Sequence, residues 1–542
     1  MCVRAARFYD PVVTTSAHDS LVLLALLVAG AGLLVLAPVL RIPYPILLVL
    51  GGLGIGFVPG APHLELRPEI VLVGFLPPLL YSGAFFTSLR DLRTNARAIS
   101  LLSVGLVLAT MVTVAAVGHT FIGGLSWPVC FVIGAIVAPT DAVAATAIAS
   151  RLGLPRRLVT LIEGESLIND ATALVAYAFA VAAVVTGTFS LWHATWRFGV
   201  DVAGGVAIGL AVGFVIRQAR RRINHSPTEI AIALLSGYFA YLPAQAAGVS
   251  AVLAVVTVGI YVGWYTPELT TVQTRLQGDA VWEILTFLLN AVLFGLVGMQ
   301  LRSILDSLEG RSTGSLLADG AIVGAAVIVT RLVWIYPATY VPRFLWKRIR
   351  ERDPYPPWQY PTLIGWAGLR GAVSLAAALA LPLTTDTGEP FPQRSYIIYV
   401  AFCVILATLV LQGLTLPAVI RALRLEDDGL SEKEETKARI HAAEAALGRL
   451  EELAGEDWVR PDTAERMRGA YRFRASRFAA RFDDEDDGEI EERSQSYQRL
   501  RRELLDAERS AVLELRRQGR INDAVMNRVQ RDLDLEDARL DV

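Results

Sequence analysis

The chain has 542 residues, 54% of them hydrophobic and 19% charged, with a mean hydropathy of +0.46. A water-soluble protein of this length carries more charge, so the composition excludes an ordinary soluble enzyme or binding module. The formal net charge of −2 points to no partner, because it averages two unlike regions. From about Ser20 to Ile420 the sequence is a series of apolar runs, each about 17–25 residues long, the length that spans the hydrocarbon of a bilayer. From Arg421 onward it is polar and charge-dense. The three cysteines, Cys2, Cys130 and Cys403, supply neither a disulfide framework nor a four-ligand metal site.

Residues 1–19 read as a polar extracellular segment. The run Leu21–Leu40 is longer than the apolar core of a signal peptide and no small-residue cleavage site follows it, so it reads as a first span. Hydropathy then divides 20–420, a transmembrane domain, into about thirteen spans. They fall near 20–40, 44–59, 69–89, 98–122, 127–149, 157–187, 196–216, 228–244, 248–265, 280–300, 316–345, 360–383 and 395–420. Basic residues collect after the third span (Arg90, Arg93, Arg97), the fifth (Arg151, Arg156, Arg157), the seventh (Arg217, Arg220, Arg221, Arg222) and the eleventh (Arg343, Lys347, Arg348, Arg350, Arg352). By the positive-inside rule these loops are cytoplasmic, the N-terminus is outside and residues 421–542 are cytoplasmic. An odd count fits two six-span halves of opposite orientation joined by a linking helix, the inverted-repeat plan of secondary transporters. The fifth span then corresponds to the twelfth.

Four ionisable residues lie at mid-membrane: Asp141, Glu165, Asp170 and Arg370. Each costs roughly 2.5–3.5 kcal/mol there and needs a reason. For Glu165 and Arg370 a helix-locking ion pair is one such reason. It accounts poorly for Asp141 and Asp170. In the fifth span, Ala138-Pro139-Thr140-Asp141 puts a proline where the helix needs a donor. In the twelfth, Gly365, Gly368 and Gly371 weaken the helix at matching depth. Two broken helices at corresponding positions are the mark of a transporter's substrate site. In the sixth span, the four-residue spacing stacks Ser166 with Asp170 and Glu165 with Asn169, so the first pair can face one cavity while Glu165 reaches Arg370. Oxygen ligands from Asp141, Asp170, Ser166 and Thr140 suit a hard cation such as sodium, and no histidine lies in these motifs. Arg331, in the eleventh span, reads as bonding backbone carbonyls or lining a cytoplasmic funnel. Glu163 reads as a solvated funnel charge, and Asn290 and Gln300 as helix-packing residues.

Beyond the spans, helical patterns cover Ser431–Ala454, Pro461–Phe482 and Glu489 to Arg517, with the acidic run Asp483–Asp487 as a solvated linker. The whole is an all-α integral membrane protein with a helical cytoplasmic C-terminal domain.

Three motifs, Ala138-Pro-Thr-Asp141, Gly164-Glu-Ser-Leu-Ile-Asn-Asp170 and Gly368-Leu-Arg-Gly-Ala-Val-Ser-Leu375, resemble those of the sodium/proton exchanger family. The likeness is to bacterial members of its monovalent cation:proton antiporter-1 group, and Leu515–Leu540 resembles the end of their tails. The resemblance implies thirteen helices and a homodimer in the cell membrane, with a core domain moving against a dimerisation domain. It implies ion binding at Asp170 with Asp141, Ser166 and Thr140, and a structural pair of Glu165 with Arg370, Asn169 beside them. The Asn169-Asp170 pair goes with electroneutral exchange of sodium for protons in that family, serving pH and sodium homeostasis. The expected partners are lipid, monovalent cations and a second copy, with no cofactor and no nucleic acid. One departure stands out. Some members carry a glutamate near the end of Leu76–Gly83, where this chain has Tyr81 and Ser82. The rival readings are exchange of potassium or lithium for protons, a membrane sensor on the same scaffold, and a membrane-embedded hydrolase. The sensor lacks a signalling domain in the sequence, and the hydrolase lacks partners for His119 and His193.

Overall fold

The computed structural model describes residues 32–33, 35–37, 39–40, 42–58, 70–149, 153–187, 191–223, 225–308, 312–425, 429–480 and 489–538. The N-terminal segment 1–19, most of the first predicted span and the acidic run Asp483–Asp487 lie outside them. Among the described residues the regular secondary structure is helical, apart from an isolated β-bridge between Thr384 and Pro390. The chain divides into two compact units, Met1–Asp427 and Asp428–Val542.

In chain order the first unit contains α1 (Tyr44–Gly56), α2 (Ile70–Phe86), α3 (Leu89–Phe121), α4 (Trp127–Val137), α5 (Ala142–Ala149) and α6 (Arg156–Thr186). It continues with α7 (Leu191–Arg220), α8 (Ser226–Ala246), α9 (Ala251–Leu269), α10 (Val272–Asp306) and α11 (Thr313–Leu345). The last three are α12 (Gln359–Trp366), α13 (Ala372–Leu379) and α14 (Arg394–Ala422). Among the described residues, seven helices are long and apolar enough to cross a membrane, and α1, α2 and α4 are shorter apolar helices.

Several helices outrun the apolar runs that announced them, for a local reason. The side chain of Ser88 accepts from the Asp91 amide at 3.3 Å and starts α3 at Leu89, where hydropathy alone began the span at 98. Arg90, Arg93 and Arg97 therefore ride on the first turns of a helix. Thr271 and Ser312 cap α10 and α11 in the same way. Hydropathy sees only the part of a helix that lies in hydrocarbon, whereas a cap marks where the backbone starts to bond.

The second unit is built of α15 (Leu430–Leu453), α16 (Pro461–Ala480), α17 (Glu489–Arg517) and α18 (Asp523–Ala538). Helix α15 packs on α16 and α17 on α18, around small and apolar side chains such as Ala443, Ala464, Phe478, Leu505 and Leu533. Arg468 bridges α16 to Glu451 of α15, and Arg509 bridges α17 to Asp534 and Asp537 of α18.

Candidate ion site at two interrupted helices

Both expected interruptions are present. Residues 138–141 separate α4 from α5, and residues 367–371 separate α12 from α13. The two non-helical stretches meet: the Asp141 amide donates to the Leu369 carbonyl at 2.8 Å. That bond satisfies a donor that the broken helix leaves without a partner of its own. The glycines let the stretches approach. A Cβ at Gly371 would lie 1.9 Å from Asp141 Oδ2, and one at Gly368 would lie 2.3 Å from Arg331 Cδ. Asp141 Oδ1 accepts from the Val143 amide at 2.8 Å, so this carboxylate also caps the start of α5.

Helix α6 closes the arrangement. Ser166 Oγ donates to the Thr140 carbonyl at 3.0 Å and accepts from the Ala142 amide at 3.2 Å. Thr140 Oγ1 accepts from Asn169 Nδ2 at 2.6 Å and donates to Glu165 Oε1 at 3.1 Å. The Thr140 side chain is thus held by the Glu165–Asn169 face of α6 and its carbonyl by Ser166.

The partner of Glu165 corrects an expectation. Its carboxylate is gripped by Arg331 of α11, with Nη2 to Oε2 at 2.8 Å and Nη1 to Oε1 alongside, not by Arg370. Arg331 also donates to the Ile364 carbonyl in α12, from Nε at 3.1 Å and from Nη2 at 2.9 Å. Arg370, wholly buried, sends Nη1 to the Ala138 carbonyl, and its amide donates to Thr408 Oγ1 at 3.1 Å. The physical reason is geometric. A carboxylate offers one bidentate edge, which the fork of Arg331 fills. The end of α4 has carbonyls with no helical partner and favours a cation. Arg331 bonds a carbonyl as its sequence suggested, but its main partner is an acid 166 positions away.

A cavity of about 740 Å³ leads to this crossing. It runs from exposed Asp279, Glu283 and Phe86 past Glu163 to buried Asp170. Thr140, Asp141 and Ser166 lie on its wall with Asp170, so the four candidate ligands share one space. Glu165, Asn169 and Arg370 are buried and do not line it. Asp170 is 6% exposed and accepts no hydrogen bond from the described residues. Ser82 and Asn290 also line the cavity, the latter having been read as a packing residue. Tyr81 does not. It is buried between Trp282 and Phe85, ring centroids 5.5 and 5.7 Å away. Sequence reasoning overlooked Thr408 and the mouth acids Asp279 and Glu283. Thr408 carries no signal of its own, but Asp279 and Glu283 are one helical turn apart at the start of an apolar run, a spacing that marks a shared face.

Membrane-length helices around two crossed, interrupted helices, with carboxylates at the foot of an open cavity, define a multi-pass membrane transporter. The comparisons make the class specific. A family model described as sodium/hydrogen exchanger, transmembrane, matches residues 22–422, and the chain belongs to that family. It is 37% identical over 535 residues to an uncharacterised Na+/H+ exchanger of Mycobacterium tuberculosis, covering 97% of this chain and 98% of that one. It is 33% identical over 387 residues to a sodium, potassium, lithium and rubidium/H+ antiporter of Bacillus pumilus, covering 69% of this chain and 57% of that one. The fold matches the sodium proton antiporter MjNhaP1 of Methanocaldococcus jannaschii with a TM-score of 0.60 at 18% identity, over 75% of this chain and 98% of that one.

Proposed function

We propose that this protein exchanges sodium ions for protons across the cell membrane, one for one, through competition at Asp170. The observation that carries the reading is an aspartate at the foot of an open cavity with no hydrogen-bond donor from the described residues. A buried carboxylate left charged and empty is costly at mid-membrane, so either a proton or a cation lowers the cost of moving the site. Sodium bound there takes oxygens from Asp170, Asp141, Ser166 and Thr140, a hard donor set for a hard ion. The Asn169 side chain supports an electroneutral cycle, because it adds no second titrating group beside Asp170. Its amide is engaged with Thr140 and holds the wall of the site.

The membrane domain is two inverted six-helix repeats in thirteen spans, with the N-terminus outside and residues 421–542 cytoplasmic. The cavity mouth lies on the side of the basic loops, which makes it cytoplasm-facing. The protein works as a homodimer and serves pH and sodium homeostasis. A second reading, a broader choice of monovalent cations that includes potassium and lithium, draws on the name of the Bacillus pumilus relative.

The test uses purified protein in sealed proteoliposomes with an internal pH dye. Added sodium is expected to dissipate an imposed pH gradient, and Asp170→Asn to abolish the response while the protein stays folded. Near-normal exchange in Asp170→Asn would sink the assignment. Equal responses to sodium, potassium and lithium would favour the second reading.

A further inference from the structure

The turn between α11 and α12 is strongly basic and exposed. A short helix, Lys347–Arg352, carries Lys347, Arg348, Arg350 and Arg352 within six residues, and none of its residues is buried. One acid within it, Glu351, lies 3.7 Å from Lys347 and leaves the three arginines uncompensated locally. Large rings flank it: Phe344, Trp346 and Trp358 are each more than half exposed. The turn follows directly on a helix long and apolar enough to cross a membrane. Basic groups beside aromatic rings at the end of such a helix match the chemistry of the interface, phosphates above and acyl chains below.

The turn is also built rather than loose. Asp353 accepts from Arg157 of α6 at 2.7 Å and from Arg343 of α11 at 2.6 Å, and Arg97 of α3 joins them at 2.5 Å. Arg343 further donates from Nε to the carbonyls of Asp353 and Pro354, at 3.0 and 3.2 Å. Burial works to raise the Asp353 carboxyl, but the hydrogen bonds and charges of Arg157 and Arg343 outweigh it and hold the group below its usual range. One acid thus pins three helices to the base of the turn, while the four basic groups of the short helix face outward.

We infer that Lys347, Arg348, Arg350 and Arg352 form a docking site for anionic phospholipid headgroups, with Phe344, Trp346 and Trp358 set into the interface beneath them. The occupant is the leaflet the turn faces: the rings place the turn at bilayer depth, and a run of cations against an anionic surface is complementary. The full chain, purified in detergent with equal phosphatidylglycerol and phosphatidylcholine, is examined by native mass spectrometry. The wild type is expected to retain phosphatidylglycerol preferentially. The combined variant Lys347→Gln, Arg348→Gln, Arg350→Gln and Arg352→Gln is expected to lose that preference by about tenfold. A charge-keeping variant, Arg348→Lys with Arg350→Lys and Arg352→Lys, should hold it, which separates lost charge from damaged fold. No preference in the wild type would mean that something other than lipid covers the turn. That outcome, equal retention in the glutamine variant, or loss in the lysine variant would each overturn the assignment. The readout is independent of transport.

Discussion

Two guanidinium–carboxylate contacts in this protein look alike on paper and sit in opposite surroundings. Around Glu165 and Arg331, both side chains are 2% exposed, and their polar atoms are met by Thr140 and the Ile364 carbonyl. In the second unit, Arg468 holds Glu451 at 2.8 Å and also reaches Glu465, but the two acids are 56% and 70% exposed. Water solvates these two acids whether or not the pair forms. The first set has no such alternative. The lesson is that the environment, more than the contact distance, decides what breaking a pair costs.

The largest expected effect is therefore at Arg331. Arg331→Ala leaves Glu165 charged and buried without its fork, a change that costs about 3–5 kcal/mol. Thermal unfolding in detergent should show a large drop in melting temperature, and replacing Glu165 by Gln in the same background should restore part of it. An Arg331→Ala protein that melts like the wild type would break the contrast. Sequence reasoning put this weight on Arg370, and the structure moves it.

Why the interruptions were legible while this pairing was not is a matter of range. Pro139 lacks an amide hydrogen and Gly365, Gly368 and Gly371 lack side chains, so each break is written into a handful of neighbouring residues. The stacking of Ser166 with Asp170 and of Glu165 with Asn169 follows from helical pitch alone, and the first pair does line the cavity while the second is turned away from it. Which arginine meets Glu165 depends on how α11 and α12 are set against α6, and no local pattern encodes that. Both arginines were visible as intramembrane charges. Only packing decides that one takes the acid and the other takes the Ala138 carbonyl. Thr408 was out of reach for the same reason, since a lone hydroxyl in an apolar run has no local mark that it will accept from the Arg370 amide.

Gly371 offers a finer test of the buried region, because it changes no charge. An added methyl would meet the Asp141 carboxylate, with Cβ and Cγ both within 2.6 Å, so Gly371→Ala must push that side chain away or part the two breaks. Overpacking of this kind costs about 1–3 kcal/mol. The expected result is a modest loss of melting temperature together with a raised sodium concentration for half-maximal exchange, since Asp141 would leave its place beside Asp170. Unchanged exchange would show that the Asp141 position is not critical and would weaken its assignment as a ligand.

The smallest effect is expected at Arg468, where it tests the other half of the contrast. The hydrogen bond and charge of Arg468 hold the Glu451 carboxyl below its ordinary range. A lowered carboxyl contributes stability above its unfolded value and loses it as pH falls through the folded one. Because the Glu451 carboxylate is more than half exposed, screening removes most of that contribution. Arg468→Ala should leave the melting temperature at neutral pH where it was, while an NMR titration of Glu451 moves up toward the usual carboxylate value. A large fall in melting temperature would mean that the α15–α16 contact depends on this arginine's packing as well as its charge, since its stem can cover apolar surface. The two readouts together separate electrostatic influence, which titration sees, from stabilisation, which melting sees. At Glu451 the two are expected to part, the titration moving while the melting temperature stays.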